Sequence, residues 1–339
     1  MEVPIIRKAT TATVDLLPHL DIDGSAVLIA LIKQRFTVTR KGDVQAVGGA
    51  EAVLCDEPWD PDAPDTSSVR VPSDVCLAKP STDVIVAGSA MAPYREPVTS
   101  LNCLVRVGPV EKMFTVHGPR LWYEGAFGLT MTPPRTFEAL AVRWEYAWGG
   151  ADFVEGQKPL EEARNPVGRG VVRDKRTLVH QLGPQIEDPA NPITRHGSHV
   201  PVGIGATGRH WHPRRTYAGT YDELWKAERM PLLPLDFDPR FHQAAAPGLV
   251  TPQPLRGGER CQIVHMCADG PLDFLLPVRR YFVGVRYEGR GLVEVPPMLD
   301  TVLLEPDERR VTLTWRAILP LPRRMRDVHY VQVHEKKVI

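Results

Sequence analysis

Residues 203 to 247 read GIGATGRHWHPRRTYAGTYDELWKAERMPLLPLDFDPRFHQAAAP, the run of the chain densest in glycine, proline and aromatic side chains. One short helix fits inside it. Thr220 and Glu223 stand at the T-x-x-E spacing of a capping box, and Tyr221, Leu224 and Trp225 then fall on one face. Pro231 has no amide to donate and disfavours helix before it, so the helix over 221–229 must stop by Met230. About nine residues make a rod too short to stand alone, which predicts that Trp225 anchors it to something larger. Beyond it, PLLPLDFDPRF is kept extended by its prolines and reads as a strap carrying Leu232, Leu233, Leu235, Phe237 and Phe241. Asp236 and Asp238 suit Asx turns; as carboxylates two residues apart they also suit an acid–base pair or a cation.

The rest of the composition points to β structure around this run. Among 339 residues there are 33 prolines, too many to be absorbed by helices, which favours short strands and ordered loops. Apolar runs or alternations mark strands at Ala26–Ile32, Arg35–Thr39, Val44–Val47, Asp83–Ala87, Leu101–Val107 and Lys112–Val116. A second group follows at Arg260–Met266, Leu272–Leu276, Arg279–Tyr287, Thr301–Leu304 and Arg310–Ile318. Leu140, Val142, Trp144, Tyr146 and Trp148 alternate with smaller or charged residues, as on a half-buried strand. Cys55 to Asp74 reads as a surface loop. Residues 149 to 201, rich in glycine, proline and charge, read as a connector held down by Phe153, Val154, Leu178 and Ile186. The expected fold is mainly β: two β-sandwich-like or twisted-sheet lobes, 1–150 and 251–339, joined by an irregular Pro/Gly-rich connector over 151–250 with one or two short helices.

Charge and motifs exclude several function classes. Lys plus Arg equals Asp plus Glu at 41 each, so no net field recruits nucleic acid or an anionic membrane. The longest apolar run is far below the ~20 residues of a membrane span, and Met-Glu-Val-Pro does not open a secretory leader, so a cytoplasmic protein is expected. Five cysteines without C-x-x-C spacing suit free, mostly buried thiols. Gly203-Ile-Gly205-Ala-Thr-Gly208 matches GxGxxG, but Pro213 breaks the helix a dinucleotide would need. His196, His199, His210 and His212 could hold zinc if their rings converged, and could equally be separate hydrogen-bonding side chains. No nucleophile motif is present, so no catalytic residue and no cofactor is expected. Trp211, Arg214, Arg215 and Tyr217 combine area, stiffness and directed donors, as binding hot spots do; the same side chains could instead lock the connector in place.

Across the chain, AKPSTDVIVAGSAMAP (78–93), VGPVEKMFTVHGPRLW (107–122), WEYAWGGAD (144–152), NPVGRG (165–170), YAGTYDELWKAERMPLLPLDFDPRFHQAAAP (217–247) and LRGGE (255–259) together resemble the domain of unknown function 2169. The resemblance implies a type VI secretion accessory protein, an adaptor or chaperone. Such a protein holds a toxic effector, or its N-terminal region, in the cytoplasm and helps load it on the VgrG spike, with no catalysis of its own. Trp211, Arg214, Arg215 and Tyr217 are the expected contact residues. Two other functions remain open at this stage: a metal-dependent hydrolase built on His196 to His212, and a structural β component of a phage-tail-like machine.

Overall fold

The computed structural model describes residues 4–289, 291–321 and 328–336. Its centre is a six-stranded sheet built on the apolar run AVLIALI, which extends without a break into one strand, Ala26–Val38. The strand does not stop at Lys33 and Gln34, because both find partners inside. Lys33 Nζ donates to Asp74 at 2.6 Å, and Gln34 bonds Thr11 at 2.9 Å and the Tyr281 hydroxyl at 2.6 Å. Such pairing is what allows polar groups into a core. Ala26–Val38 lies antiparallel to Arg310–Pro320 along one edge, and to Thr13–Leu20 and then Val44–Gly49 along the other. Met298–Glu305 and the parallel Asp83–Val86 complete the sheet.

A second sheet orders Ile186–Glu187, Val110–His117, Ser100–Val107, Arg260–Val264 and Leu272–Leu275, all antiparallel. A third orders Ile5–Ala9, Val328–Lys336, Arg280–Tyr287 and Leu292–Val295, with only the first pair parallel. Ile32, Phe36, Val105, Phe114, Trp144, Trp211, Val283, Trp315 and Val331 belong to one continuous buried cluster, and Trp122, Trp148, Leu178 and Ile193 to a smaller one. The fold is therefore mainly β, with several discrete sheets and, among the described residues, one short α-helix, Glu223–Glu228.

The strands do not pair along the division expected at residues 150 and 251. Each large sheet joins strands from the first 150 residues to strands from the last 89. The 13-residue Ala26–Val38 strand matches the 11-residue Arg310–Pro320 strand, a partner of comparable length that lies far along the chain.

Three local expectations are also corrected. Leu140 to Trp148 is not one strand: Ala139–Ala141 pairs with Ser89–Met91, Trp144–Tyr146 turns as a short 3-10 helix, and Trp148–Gly149 pairs with Arg169–Gly170. The bend sends Trp144 into the main core, where its Nε1 donates to the carbonyls of Gly205 and Ala206, and Trp148 into the smaller one. Phe153 and Val154 do not pin the connector, since both are exposed; Leu178 and Ile186 do. The Cys55–Asp74 loop sends Ser68, Val71, Ser73 and Asp74 inward, Asp74 to meet Lys33.

Candidate functional site

The strap is fastened at both ends. At Gly219, whose φ is +82°, a Cβ would lie 2.9 Å from Asp236 Oδ1, so glycine is required where the two limbs cross. The Thr220 amide and hydroxyl donate to Asp236 at 2.9 and 2.7 Å, and the Asp238 amide donates to the Tyr217 carbonyl at 3.0 Å. Thr220 is thereby occupied, and the expected capping box does not form. Asp222 caps the helix instead, accepting from the Trp225 amide at 2.8 Å. Asp238 makes the expected local turn by accepting from the Arg240 amide at 2.9 Å.

Trp225 is half-buried and holds the strap through an indole N–H bond to the Leu232 carbonyl at 2.8 Å. Arg229 reaches the Leu233 carbonyl at 2.9 Å and the Ile22 carbonyl at 2.6 Å, tying the strap to the turn between Thr13–Leu20 and Ala26–Val38. Leu224, on the face expected to be docked, is 63% exposed.

Between strap and turn lies a cleft of about 660 Å³. Leu20, Ala26 and Val27 line it from the turn, and Leu232, Leu233, Phe237 and Phe241 from the strap. Its volume and apolar lining are those of sites that take a ligand or a few partner side chains. Of its lining, Leu20 and Tyr221 are exposed; on the neighbouring helix and strap Leu224, Met230 and Leu235 are exposed too, Leu235 at 78%. His242 also lines it. Burial, with Arg214, Arg316 and Arg209 nearby, pushes the His242 pKa down to about 3, so the ring is neutral at physiological pH.

The four residues expected to contact a partner divide sharply. Trp211 is buried, edge-on to Trp144 at 5.7 Å and packed on Gly208. Arg214 is buried as well, donating to the Thr207 carbonyl at 2.6 Å and the Phe241 carbonyl at 2.9 Å. Burial pushes its pKa down to about 10, which still leaves it charged at neutral pH. Arg215 is exposed, 3.8 Å from Glu161, and Tyr217 is half-buried under Arg240 at 4.3 Å. Trp211 and Arg214 thus brace the floor of the strap and present no surface to a partner. Composition could not separate these roles, because a core anchor and a hot spot use the same side chains.

The histidines do not converge. His196 packs edge-on against Trp122 and Trp148 and donates to the Gly170 carbonyl at 2.8 Å; burial lowers its pKa. His199 donates to the Arg195 carbonyl at 2.9 Å, and His210 accepts from Trp211 Nε1 at 2.9 Å. The His212 backbone amide bonds the Ala163 carbonyl. Among the described residues no group of three or more His, Cys, Asp or Glu is placed to hold a metal ion. The GxGxxG run is a buried loop with no helix opening on it. Gly203 is required because a Cβ there would come within 2.7 Å of the Trp144 ring.

One constellation had no signal in the sequence. Ser100 and His117, paired across two strands, are 2.7 Å apart, and His117 Nε2 lies 2.8 Å from Glu187, which also takes Arg120 at 2.6 Å. Burial pushes the Glu187 pKa up, but the bonds from His117 and Arg120 outweigh it and hold the carboxylate below its ordinary range. With Ser100 exposed at the strand end, this arrangement ties the Ile186–Glu187 strand to the edge of its sheet.

The chain matches the family described as "Uncharacterized protein conserved in bacteria (DUF2169)" over residues 23–316, and it belongs to that family. No curated protein and no solved structure matches it significantly.

Proposed function

We propose that this DUF2169 chain grips another polypeptide, and that it serves as a cytoplasmic adaptor holding a type VI secretion effector for transfer to the VgrG spike. The observation that carries this reading is the apolar cleft under the strap, with Leu20 and Tyr221 exposed in its lining. A cleft of this kind suits a short apolar segment laid in extended or helical form. The strap supplies one wall and the Leu20–Ala26 turn the other, and their ties through Arg229 and Asp236 keep both in place before a partner arrives. Preorganisation of this sort reduces the ordering cost of binding. The resemblance noted from the sequence supplies the identity of the partner. No side chain is assigned a catalytic role in this reading.

The test is co-purification with the effector encoded beside it, comparing the wild type with a Leu20→Glu/Tyr221→Glu variant. Both side chains line the cleft and are about half exposed, so the fold should tolerate the change. Loss of two apolar contacts at the cleft should weaken capture by about 30-fold, roughly 2 kcal/mol, the scale of a hot spot. Undiminished capture by the variant removes the cleft from the reading. Normal effector export from cells lacking the chain removes the adaptor role itself.

A further inference from the structure

Ser100, His117 and Glu187 form a hydrogen-bonded line whose first member is open to solvent. Ser100 Oγ lies 2.7 Å from His117 Nδ1, and His117 Nε2 lies 2.8 Å from Glu187 Oε1. Ser100 is exposed, His117 half-buried and Glu187 buried. The Arg120 guanidinium and the Ile193 amide donate to Glu187 Oε2 at 2.6 and 3.0 Å, and against the cost of burial these bonds hold the carboxylate ionised. An ionised carboxylate at Nε2 fixes the imidazole proton there and leaves the Nδ1 lone pair facing the serine hydroxyl. A hydroxyl bonded to an imidazole that a carboxylate orients is the arrangement that turns a serine into a nucleophile.

The surrounding sheet face supplies the other parts such a nucleophile needs. Ser100 and His117 pair at the end of their strands; Asn102 and Thr115 occupy the next rung on that face and Leu104 and Met113 the one after, with Val264 beside Leu104 on the neighbouring strand. Thr115 Oγ1 donates to Asn102 Oδ1 at 2.8 Å. That bond fixes the exposed amide and leaves its Nδ2 hydrogens for an oxygen held over Ser100, about 7 Å along the strand. Leu104 and Val264 are half-buried and Met113 is 51% exposed, an apolar row roughly 14 Å from the serine.

We propose that this face hydrolyses esters of medium-chain acids. Ser100 is the nucleophile, His117 the base, Glu187 the group that positions the imidazole, and Asn102 the donor to the oxyanion, while the row at Met113 receives the acyl chain. Ser100 Oγ bonds to the acyl carbon as its proton passes to His117 Nδ1; the ester C–O bond then breaks, and the departing alkoxide takes that proton from His117. Water repeats the sequence on the acyl-serine, giving a proton to His117, which returns it to Ser100 Oγ as the acid leaves. The net change is ester plus water to acid plus alcohol. The site lies outside the strap cleft and does not rest on the effector reading.

The full chain treated with a fluorophosphonate, with the modified peptide located by mass spectrometry, tests it together with hydrolysis of p-nitrophenyl decanoate and p-nitrophenyl acetate. The label is expected on Ser100, and decanoate should be preferred over acetate in kcat/KM by about tenfold, the equivalent of about two buried methylenes. Ser100→Ala, a change at an exposed strand end, should remove both label and turnover. Asn102→Ala should lower kcat by about 100-fold, and His117→Gln should slow labelling by about 100-fold or more, with circular dichroism checking that the sheet persists. Met113→Glu should erase the preference for decanoate. Absence of label on Ser100, turnover that survives Ser100→Ala, undiminished labelling of a folded His117→Gln, or equal rates on the two esters in the wild type overturns the proposal.

Discussion

Replacing Arg316 by Met should be among the most damaging single changes in the sheet core. Arg316 and Asp300 are both essentially inaccessible, and Arg316 Nε meets Asp300 Oδ2 at 2.5 Å. The other guanidinium nitrogens donate to the carbonyls of Cys76 at 2.8 Å and Asp74 at 2.9 Å. Burial alone would push the Asp300 pKa up, but Arg316 and Lys79 outweigh it and hold the carboxyl below its ordinary value. Arg316→Met strands a buried carboxylate and leaves two carbonyls without a donor. Breaking such a pair costs about 3–5 kcal/mol, a large share of the 5–15 kcal/mol typical of a folded domain. Lys79, the second cation acting on Asp300, places the expectation near the lower end of that range.

The assay is urea unfolding followed by tryptophan fluorescence, with the slope checked for constancy. Arg316→Met with Asp300→Asn should cost less than the two single changes summed, by about 1–3 kcal/mol, because the double variant no longer buries an unpaired charge. The sign with pH follows. A carboxyl with a depressed folded pKa stabilises the fold above its unfolded value and loses that contribution as pH falls through the folded one. The extra stability therefore vanishes only in strong acid. A loss below about 1 kcal/mol for Arg316→Met, or additivity within about 0.5 kcal/mol, would falsify the claim that this pair is a coupled element of the core.

His242 predicts a pH dependence of the same sign, but in a milder range. Its folded pKa, near 3, lies below the ordinary 6.5, so the unfolded chain takes up its proton first and the fold loses stability as pH drops from about 6.5. By pH 5 the loss should be roughly 2 kcal/mol, and His242→Gln should flatten the stability profile over that interval; an unchanged profile would show that the ring is not held neutral. Gly203→Ala should destabilise by about 1–3 kcal/mol and disturb the near-ultraviolet dichroism of Trp144, since the new methyl would meet an indole pinned by two carbonyl acceptors. A variant with the wild-type melting temperature would mean that the indole yields more freely than its bonds suggest.

Much of the β character was legible residue by residue. Asp83–Val86 and Arg310–Pro320 are strands where the apolar pattern placed them, and the helix stops before Pro231 because proline forbids anything else. These features depend on backbone conformation and local spacing, which a few neighbouring residues settle. Partnership does not work that way. Nothing in AVLIALI names Arg310–Pro320 as its neighbour, and the alternation from Leu140 to Trp148 was overridden because the carbonyls at Gly205 and Ala206 captured the Trp144 indole. The N-cap passed from Thr220 to Asp222 for a similar reason, with Asp236 claiming the threonine from 16 residues away.

The strap cleft shows the same boundary at the level of the site. The strap itself could be read from its prolines and leucines. Its opposite wall, Leu20 to Val27, and the inward turn of Trp211 and Arg214 could not, since burial is a property of what arrives from elsewhere in the chain. Local sequence sets which conformations a segment can adopt; the long-range contacts, by burying one face and leaving another in water, decide which side chains stay free to meet something else.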